Sequence, residues 1–181
     1  MRRLFATGEL RDMSRMATPN AVFAVRLAAH ADEIRAARAL RHQVFCVEQA
    51  LFTSDVDAID DHAITLVAMP AHGREVIGTV RIYQAEAGLW FGSRLAVAPP
   101  WRRRAGLGPA LIRSAVETAQ ARGCQRFLAH VQAGNVALFE SLNWQALETC
   151  LLHGMPHCLM QAPLCRAARR AESLLAVTAD L

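Results

Sequence analysis

Three arginines, Arg102, Arg103 and Arg104, run straight into Gly106 and Gly108, and from Leu107 onward the chain turns apolar at helical spacing. Cations, bare backbone and a helix start at one point are the parts of an anion site. A helix N-terminus leaves backbone N–H groups without intrahelical partners, and these groups together with the helix dipole favour negative charge. Glycine removes the side chain that would hold a phosphate away from them, and arginine adds charge in a fork that matches phosphate oxygens. Two common phosphate loops do not fit. The P-loop continues into Lys-Ser/Thr where this chain has Pro109-Ala110, and the dinucleotide loop needs a third glycine that is missing here. A solvated arginine run followed by a tight turn would produce the same stretch.

Other residue types with chemical potential are scattered. Asp55, Asp57, Asp60 and Asp61 cluster as oxygen donors, but a calcium loop needs a central glycine and a final glutamate that are absent. His62, His72, His153 and His157 have no zinc-ligand spacing with cysteine. No metal is expected; the acidic cluster lines a cleft mouth or attracts a cationic amine. Cys46, Cys124, Cys150, Cys158 and Cys165 form no close pair, and their odd number argues for free thiols, most of them small core residues.

The hydrophobic pattern supplies elements to position these groups. Residues 21–28 read as a strand and 31–45 as a helix, with Ile34, Ala37, Leu40 and Val44 as its buried stripe and Asp32 and Glu33 suited to its first turn. Residues 47–62 lose the period and form a loop or broken helix. Strands are expected over 63–69 and 75–83 as a hairpin, then over 88–99, closed by Pro99-Pro100. A helix follows over 106–121, then a strand over 124–133, a short helix over 135–144 capped by Asn135, and two strands around a His-Gly-Met-Pro turn. The order β-α-loop-β-β-β-α-β-α-β-β describes a mixed α/β domain. The expected organisation is an arm over 1–20, one domain over 21–164 and a tail over 165–181. A chain of 181 residues with 53% hydrophobic and 20% charged residues suits one domain with a sizeable core. A net charge of +4 leaves room for a small anionic ligand without making the surface basic. Nucleic acid is not an expected partner, since the helix after the glycines continues Gly-Pro-Ala-Leu-Ile-Arg-Ser-Ala-Val, too apolar to read bases. No membrane span and no secretory leader are visible, so a cytoplasmic location is expected.

At this point the chain resembles a family. Residues 103–108, Arg-Arg-Ala-Gly-Leu-Gly, look like the Arg/Gln-x-x-Gly-x-Gly/Ala signature of the GNAT superfamily of acyl-CoA N-acyltransferases. Phe139-Glu-Ser-Leu-Asn-Trp144 sits where that family usually has Tyr-Glu-x-Leu-Gly-Phe, and the resemblance extends over about residues 22–164 in element order. Arg41-His-Gln-Val-Phe-Cys-Val-Glu-Gln49, the acidic segment after it and Gly154-Met-Pro-His-Cys-Leu-Met160 are similar to a small, poorly characterised bacterial branch of the superfamily. Acyl-homoserine-lactone synthases share the Arg-x-x-Val-Phe start and are a more distant likeness.

The resemblance implies a mostly antiparallel central sheet flanked by helices, and acyl transfer, acetyl by default, from acetyl-CoA to an amine. The implied alternative is a non-catalytic domain that binds acyl-CoA. Coenzyme A would be held by Arg103, Arg104, Ala105, Gly106, Leu107, Gly108, Pro109 and Ala110, with Leu95, Ala96 and Val97 offering backbone groups and Gln132 and Phe139 beside the arm. Many relatives use a tyrosine at the Phe139 position to protonate the leaving thiolate, which a phenyl ring cannot do. Glu48 and His157 are the candidates for proton handling. Glu48 is also placed to pair with Arg41, two helical turns earlier, and His157 to hydrogen-bond locally and shape its turn. Arg41, Arg94 and His130 are the candidates for acceptor contacts; Arg94 would bind an acceptor carboxylate or pair with Asp57 or Asp60, and His130 would alternatively cap a strand end. Cys46 is expected in the core rather than as a nucleophile. A homodimer is expected from the apolar content, an open C-terminal sheet and frequent pairing in the family.

Overall fold

The computed structural model describes residues 22–102 and 106–164. The expected arm, the expected tail and the cofactor residues Arg103, Arg104 and Ala105 lie outside the described residues. The elements follow the expected order: β1 (Phe23–Leu27), α1 (Ala31–His42), β2 (Ile64–Pro70), β3 (Gly78–Glu86), β4 (Leu89–Val97), α2 (Leu107–Gln120), β5 (Arg126–Gln132), α3 (Val136–Ser141), β6 (Gln145–Leu152) and β7 (Met155–Gln161). All seven strands form one sheet in the order β1-β2-β3-β4-β5-β7-β6. Every neighbouring pair is antiparallel except β4 and β5. This is the mixed, mostly antiparallel sheet with flanking helices that was expected.

Helix α2 covers one face of the sheet. Its stripe Leu107, Leu111, Ile112, Ala115, Val116 and Ala119 is buried against Leu66, Ala68, Val80, Ile82 and Trp90 in one cluster. Residues two apart on a strand share a face, so Leu66 and Ala68, and Val80 and Ile82, are the rows beneath the helix. Gly78 permits the close approach, because a Cβ there would meet Leu111 Cδ1 at 2.9 Å. Thr79 and Arg81 point to the opposite face. That face is covered by α1 and the segment that follows it.

Helix α1 has the expected acidic first turn, and Glu33 accepts hydrogen bonds from Ala29 N–H (2.8 Å) and from Arg26. The helix was expected to run to residue 45. Its α-helical part stops at His42, and Gln43–Glu48 continue as a wider π-helical turn. Such a turn carries an extra residue and re-aims the side chains after it. Here it drives Val44 and Phe45 into a second small core with Ala96 and turns Glu48 outward. Residues 49–62 are irregular apart from a short 3-10 turn over Ala58–Asp61, whose start Asp57 closes by a capping box with Asp60.

Candidate active site

Strands β4 and β5 run parallel but pair only over Leu89–Gly92 against Arg126–Ala129. Beyond that point β4 keeps β3 as its partner up to Val97, while β5 turns to β7, with Val131 opposite Cys158 and Gln132 opposite His157. The sheet is therefore split down its middle, and the β4 edge over residues 93–97 has no strand facing it. A cleft of about 520 Å³ occupies the split, lined among others by Ser93, Arg94, Leu95, Val131, Gln132 and Phe139.

A bulge opens the split. Thr79 pairs with Ala96, while Arg81 pairs with Ser93, so β4 carries one residue more than β3 over that interval. Arg94 within the bulge has φ of 53°, in the left-handed region that non-glycine residues seldom adopt. Bulges bend the strand that bears them. The Arg94 guanidinium is pinned by Asp57 Oδ2 at 3.0 Å and the Asp55 carbonyl at 3.2 Å, and lies 4.6 Å over the Phe52 ring. Burial pushes its pKa down.

The glycine stretch is built for close approach. Gly106 starts α2 with φ of 97°, no side chain caps the helix, and its first turn holds no acid. Among the described residues a Cβ on Gly108 would meet nothing nearer than Leu138 Cδ2 at 3.8 Å, so their packing does not demand glycine there. The N-terminal backbone of α2 and the unpartnered β4 edge together suit a phosphate-bearing ligand with an extended arm. Leu107 is buried, so it can serve such a ligand only through its backbone; Pro109 and Ala110 are half-buried on the same turn. Ala96 is buried in the small second core, Leu95 faces the cleft, and the Val97 carbonyl accepts from Arg102 Nε at 2.9 Å.

The remaining candidates separate. His157 lines the cleft, and its Nδ1 lies 2.9 Å from the Met155 carbonyl. A carbonyl only accepts, so Nδ1 is the donor of that contact and Nε2 is the ring nitrogen it leaves unengaged. His130 also lines the cleft, 3.8 Å from Cys150 Sγ; burial, with a smaller contribution from nearby His157, holds its pKa below the usual histidine value. Gln132 donates to Gln49 Oε1 at 3.0 Å, and Phe139 packs edge-on against Trp144. Glu48 is not among the cleft-lining residues. Both its oxygens accept from Arg102, the second at 2.6 Å, and that guanidinium holds the carboxyl below its usual range.

Arg41 does not pair with Glu48. It is 1% exposed and buried behind the cleft wall, with Nε on Asp55 Oδ2 (2.6 Å) and Nη1 on Asp60 Oδ1 (2.6 Å). Arg81 reaches Asp57 at 2.6 Å and Asp60 at 2.9 Å. The acidic segment, expected to line a cleft mouth or draw in an amine, is thus engaged by three arginines of the protein itself, and of its aspartates only Asp57 lines the cleft. Among the described residues His42, Cys46 and Asp55 offer ligand atoms within 4.8 Å of one another, a grouping the sequence reading did not weigh; Asp55 in it is already committed to Arg41. Cys46 within this trio is half-buried, and Cys124 and Cys158 are buried free thiols.

Several lining residues were not anticipated: Gln49, Phe52, Tyr83, Phe91, Asn135 and His153. Tyr83 is the single tyrosine of the chain, which is a signal, but its place beside Phe91 depends on the β3–β4 register.

The sequence profile described as the Acetyltransferase (GNAT) family matches residues 29–144. The chain belongs to the GNAT acetyltransferase family. No functionally curated protein matches the sequence. Solved GNAT-like structures do. An acyl-CoA N-acyltransferase from Pseudomonas aeruginosa superposes with a TM-score of 0.66 at 22% identity, covering 78% of this chain and 98% of the other. ElaA of Escherichia coli gives 0.66 at 20% identity, with 78% and 98% covered. A candidate N-acetyltransferase from Lactobacillus plantarum gives 0.72 at 22% identity, with 80% and 100% covered. At these identities the structures establish the GNAT fold. Among the described residues no helix is long and apolar enough to cross a membrane.

Proposed function

We propose that this GNAT protein transfers an acyl group, acetyl by default, from coenzyme A to an amine held in the cleft. The observation that carries the reading is the split between β4 and β5 beside the uncapped start of α2. The coenzyme pyrophosphate is held by Arg103, Arg104, Ala105, Gly106, Leu107, Gly108, Pro109 and Ala110. Its arm follows Leu95, Ala96 and Val97, with Gln132 and Phe139 across from it. The amine nitrogen attacks the thioester carbon, the C–S bond breaks, and the amine proton passes to His157 Nε2. The thiolate takes its proton from solvent, because Phe139 has none to give.

Glu48 can take a proton only after Arg102 releases it, so in this reading it orients Arg102 at the entrance to the coenzyme turn. Arg41 acts through Asp55 and Asp60 by fixing the loop that covers the cleft, while Arg94 and His130 face the acceptor. The likeness to the small bacterial branch, and more distantly to acyl-homoserine-lactone synthases, supports acyl transfer without naming the acceptor. The arm-domain-tail division, a cytoplasmic location, a homodimer and the absence of a catalytic metal belong to the same proposal.

Gly108→Val tests it. Among the described residues the added Cβ meets only Leu138, at ordinary contact distance, so the melting temperature should hold while coenzyme A affinity, read by calorimetry, falls at least about 10-fold through loss of close phosphate approach. Unchanged affinity in the folded variant places the coenzyme elsewhere. A second reading, acyl-CoA binding without catalysis, is favoured by Phe139 alone; it predicts coenzyme binding with no acetylated product from a broad amine library.

A further inference from the structure

The acceptor end of the cleft has an unusual floor. Tyr83 on β3, Phe91 on β4 and His130 on β5 stand side by side across three neighbouring strands. Tyr83 and Phe91 are near-parallel, 15° apart with centroids at 5.7 Å, and Phe91 and His130 are 21° apart at 6.2 Å. All three rings line the cleft. Opposite register explains the row: Tyr83 faces Phe91 directly, and Phe91 lies beside Leu128 on β5, two residues before His130. The row crosses the sheet at Gly92 and Ala129, where β4 and β5 part, so it lies at the inner end of the split. Phe52 comes in from the covering loop, edge-on to His153 at 4.7 Å.

The charges around this floor cancel. Arg41, Arg81 and Arg94 are matched by Asp55, Asp57 and Asp60 through ion pairs within the group. Asp57, the carboxylate most open to the cleft, already accepts from Arg81, Arg94 and the Ile59 N–H. The aspartates of this wall are therefore engaged by its own arginines, and the carboxylate outside the group whose charge reaches His130 is Glu148. At neutral pH the lowered pKa of His130 keeps its ring uncharged, so it joins the row as an aromatic rather than as a cation.

We infer that the acceptor is an amine carrying a flat aromatic ring, which packs on the Tyr83–Phe91–His130 row and brings the amine to the point where β4 and β5 separate. This deepens the acyl-transfer reading and rests on it for the role of the amine. Aromatic rings gain from both offset-stacked and edge-to-face contact beyond their buried area, so a row with Phe52 nearby rewards planarity and not only apolar bulk.

The test separates ring, bulk and charge. Ligand-observed NMR on the full chain saturated with coenzyme A measures the affinities of 2-phenylethylamine, 2-cyclohexylethylamine, butylamine and spermidine; release of coenzyme thiol from acetyl-CoA measures turnover of each. 2-Phenylethylamine should bind about 3–10-fold tighter than its saturated counterpart and at least about 10-fold tighter than butylamine. Phe91→Leu should abolish the advantage over 2-cyclohexylethylamine, whereas Tyr83→Phe, which keeps the ring, should retain it; coenzyme affinity reports whether each variant is folded. Equal binding of the saturated and aromatic amines, or preference for spermidine, overturns the inference even if acetyl transfer proceeds. Aromatic preference in binding with no turnover of any amine overturns the acyl-transfer reading and leaves the aromatic site standing.

Discussion

His157 lines the cleft with its Nδ1 engaged by the Met155 carbonyl, which leaves Nε2 as the ring nitrogen available to a substrate. Glu48 is in the opposite condition, a carboxylate stabilised as an anion by two contacts from Arg102. The two candidates therefore predict different kinetics. His157→Asn should lower turnover by about 10²–10⁴-fold with coenzyme affinity retained, the usual loss for a proton-transfer group. Glu48→Gln should act mainly on coenzyme affinity, by freeing Arg102 at the entrance to the glycine turn. Steady-state kinetics with calorimetry checks both: a full loss of turnover in Glu48→Gln at unchanged coenzyme affinity would return the proton to Glu48. Cys46→Ala should keep most activity, since direct transfer uses no thiol.

At the scale of elements, the loop after α1 is held by charge as well as by the packing of Leu51 and Phe52 on the small second core. Asp60 shows the part charge plays. Burial would raise its carboxyl, but hydrogen bonds from Arg41 outweigh burial and hold it far below the usual range. Its side chain is 3% exposed, and removing one partner of a buried pair leaves the other uncompensated. Asp60→Asn should therefore destabilise the fold by about 3–5 kcal/mol in chemical denaturation. The pH dependence has the same origin. Groups with depressed folded pKa values contribute stability that is full above the ordinary carboxylate range and is lost as pH falls through the folded values. Asp57 and Asp60 are of this kind, as is Glu33, lowered to about 2 chiefly by its hydrogen bonds from Arg26. The melting temperature should fall progressively as pH drops from about 5 to about 2, and less steeply in Asp60→Asn. A flat profile in the parent protein would show that these pairs do not contribute.

The whole molecule exposes β1 and β6 as the two edges of its sheet. The β6 edge is apolar on its open side, with Leu151 73% and Leu147 39% exposed, and Met155 beyond the turn 45% exposed. A long apolar edge is a template for pairing unless it is covered. The proposed homodimer uses this edge, and sedimentation equilibrium should show a dimer at micromolar concentration. Leu151→Lys should weaken it at least about 10-fold, because edge lysine blocks strand-to-strand association. A monomer at every concentration removes the dimer from the proposal.

Periodicity alone determined the element order, since burial of a helix face or a strand row is written in local spacing. The helix start at Gly106 was equally legible, because it is written in adjacent residues. The partners of Arg41 and Glu48 were not. A helical reading through residue 48 would stack them two turns apart, and the π-helical turn at Gln43–Glu48 breaks that relation, sending Arg41 inward to Asp55 and Asp60 and Glu48 outward to Arg102. The ring row was hidden for a related reason. Tyr83, Phe91 and His130 come from three strands, and only the sheet order and register place them side by side. Those depend on tertiary contacts: the bulge at Arg94 and the parting of β4 from β5 follow from interactions between segments far apart in the chain, whereas a hydrophobic pattern records only which way each residue faces along its own element.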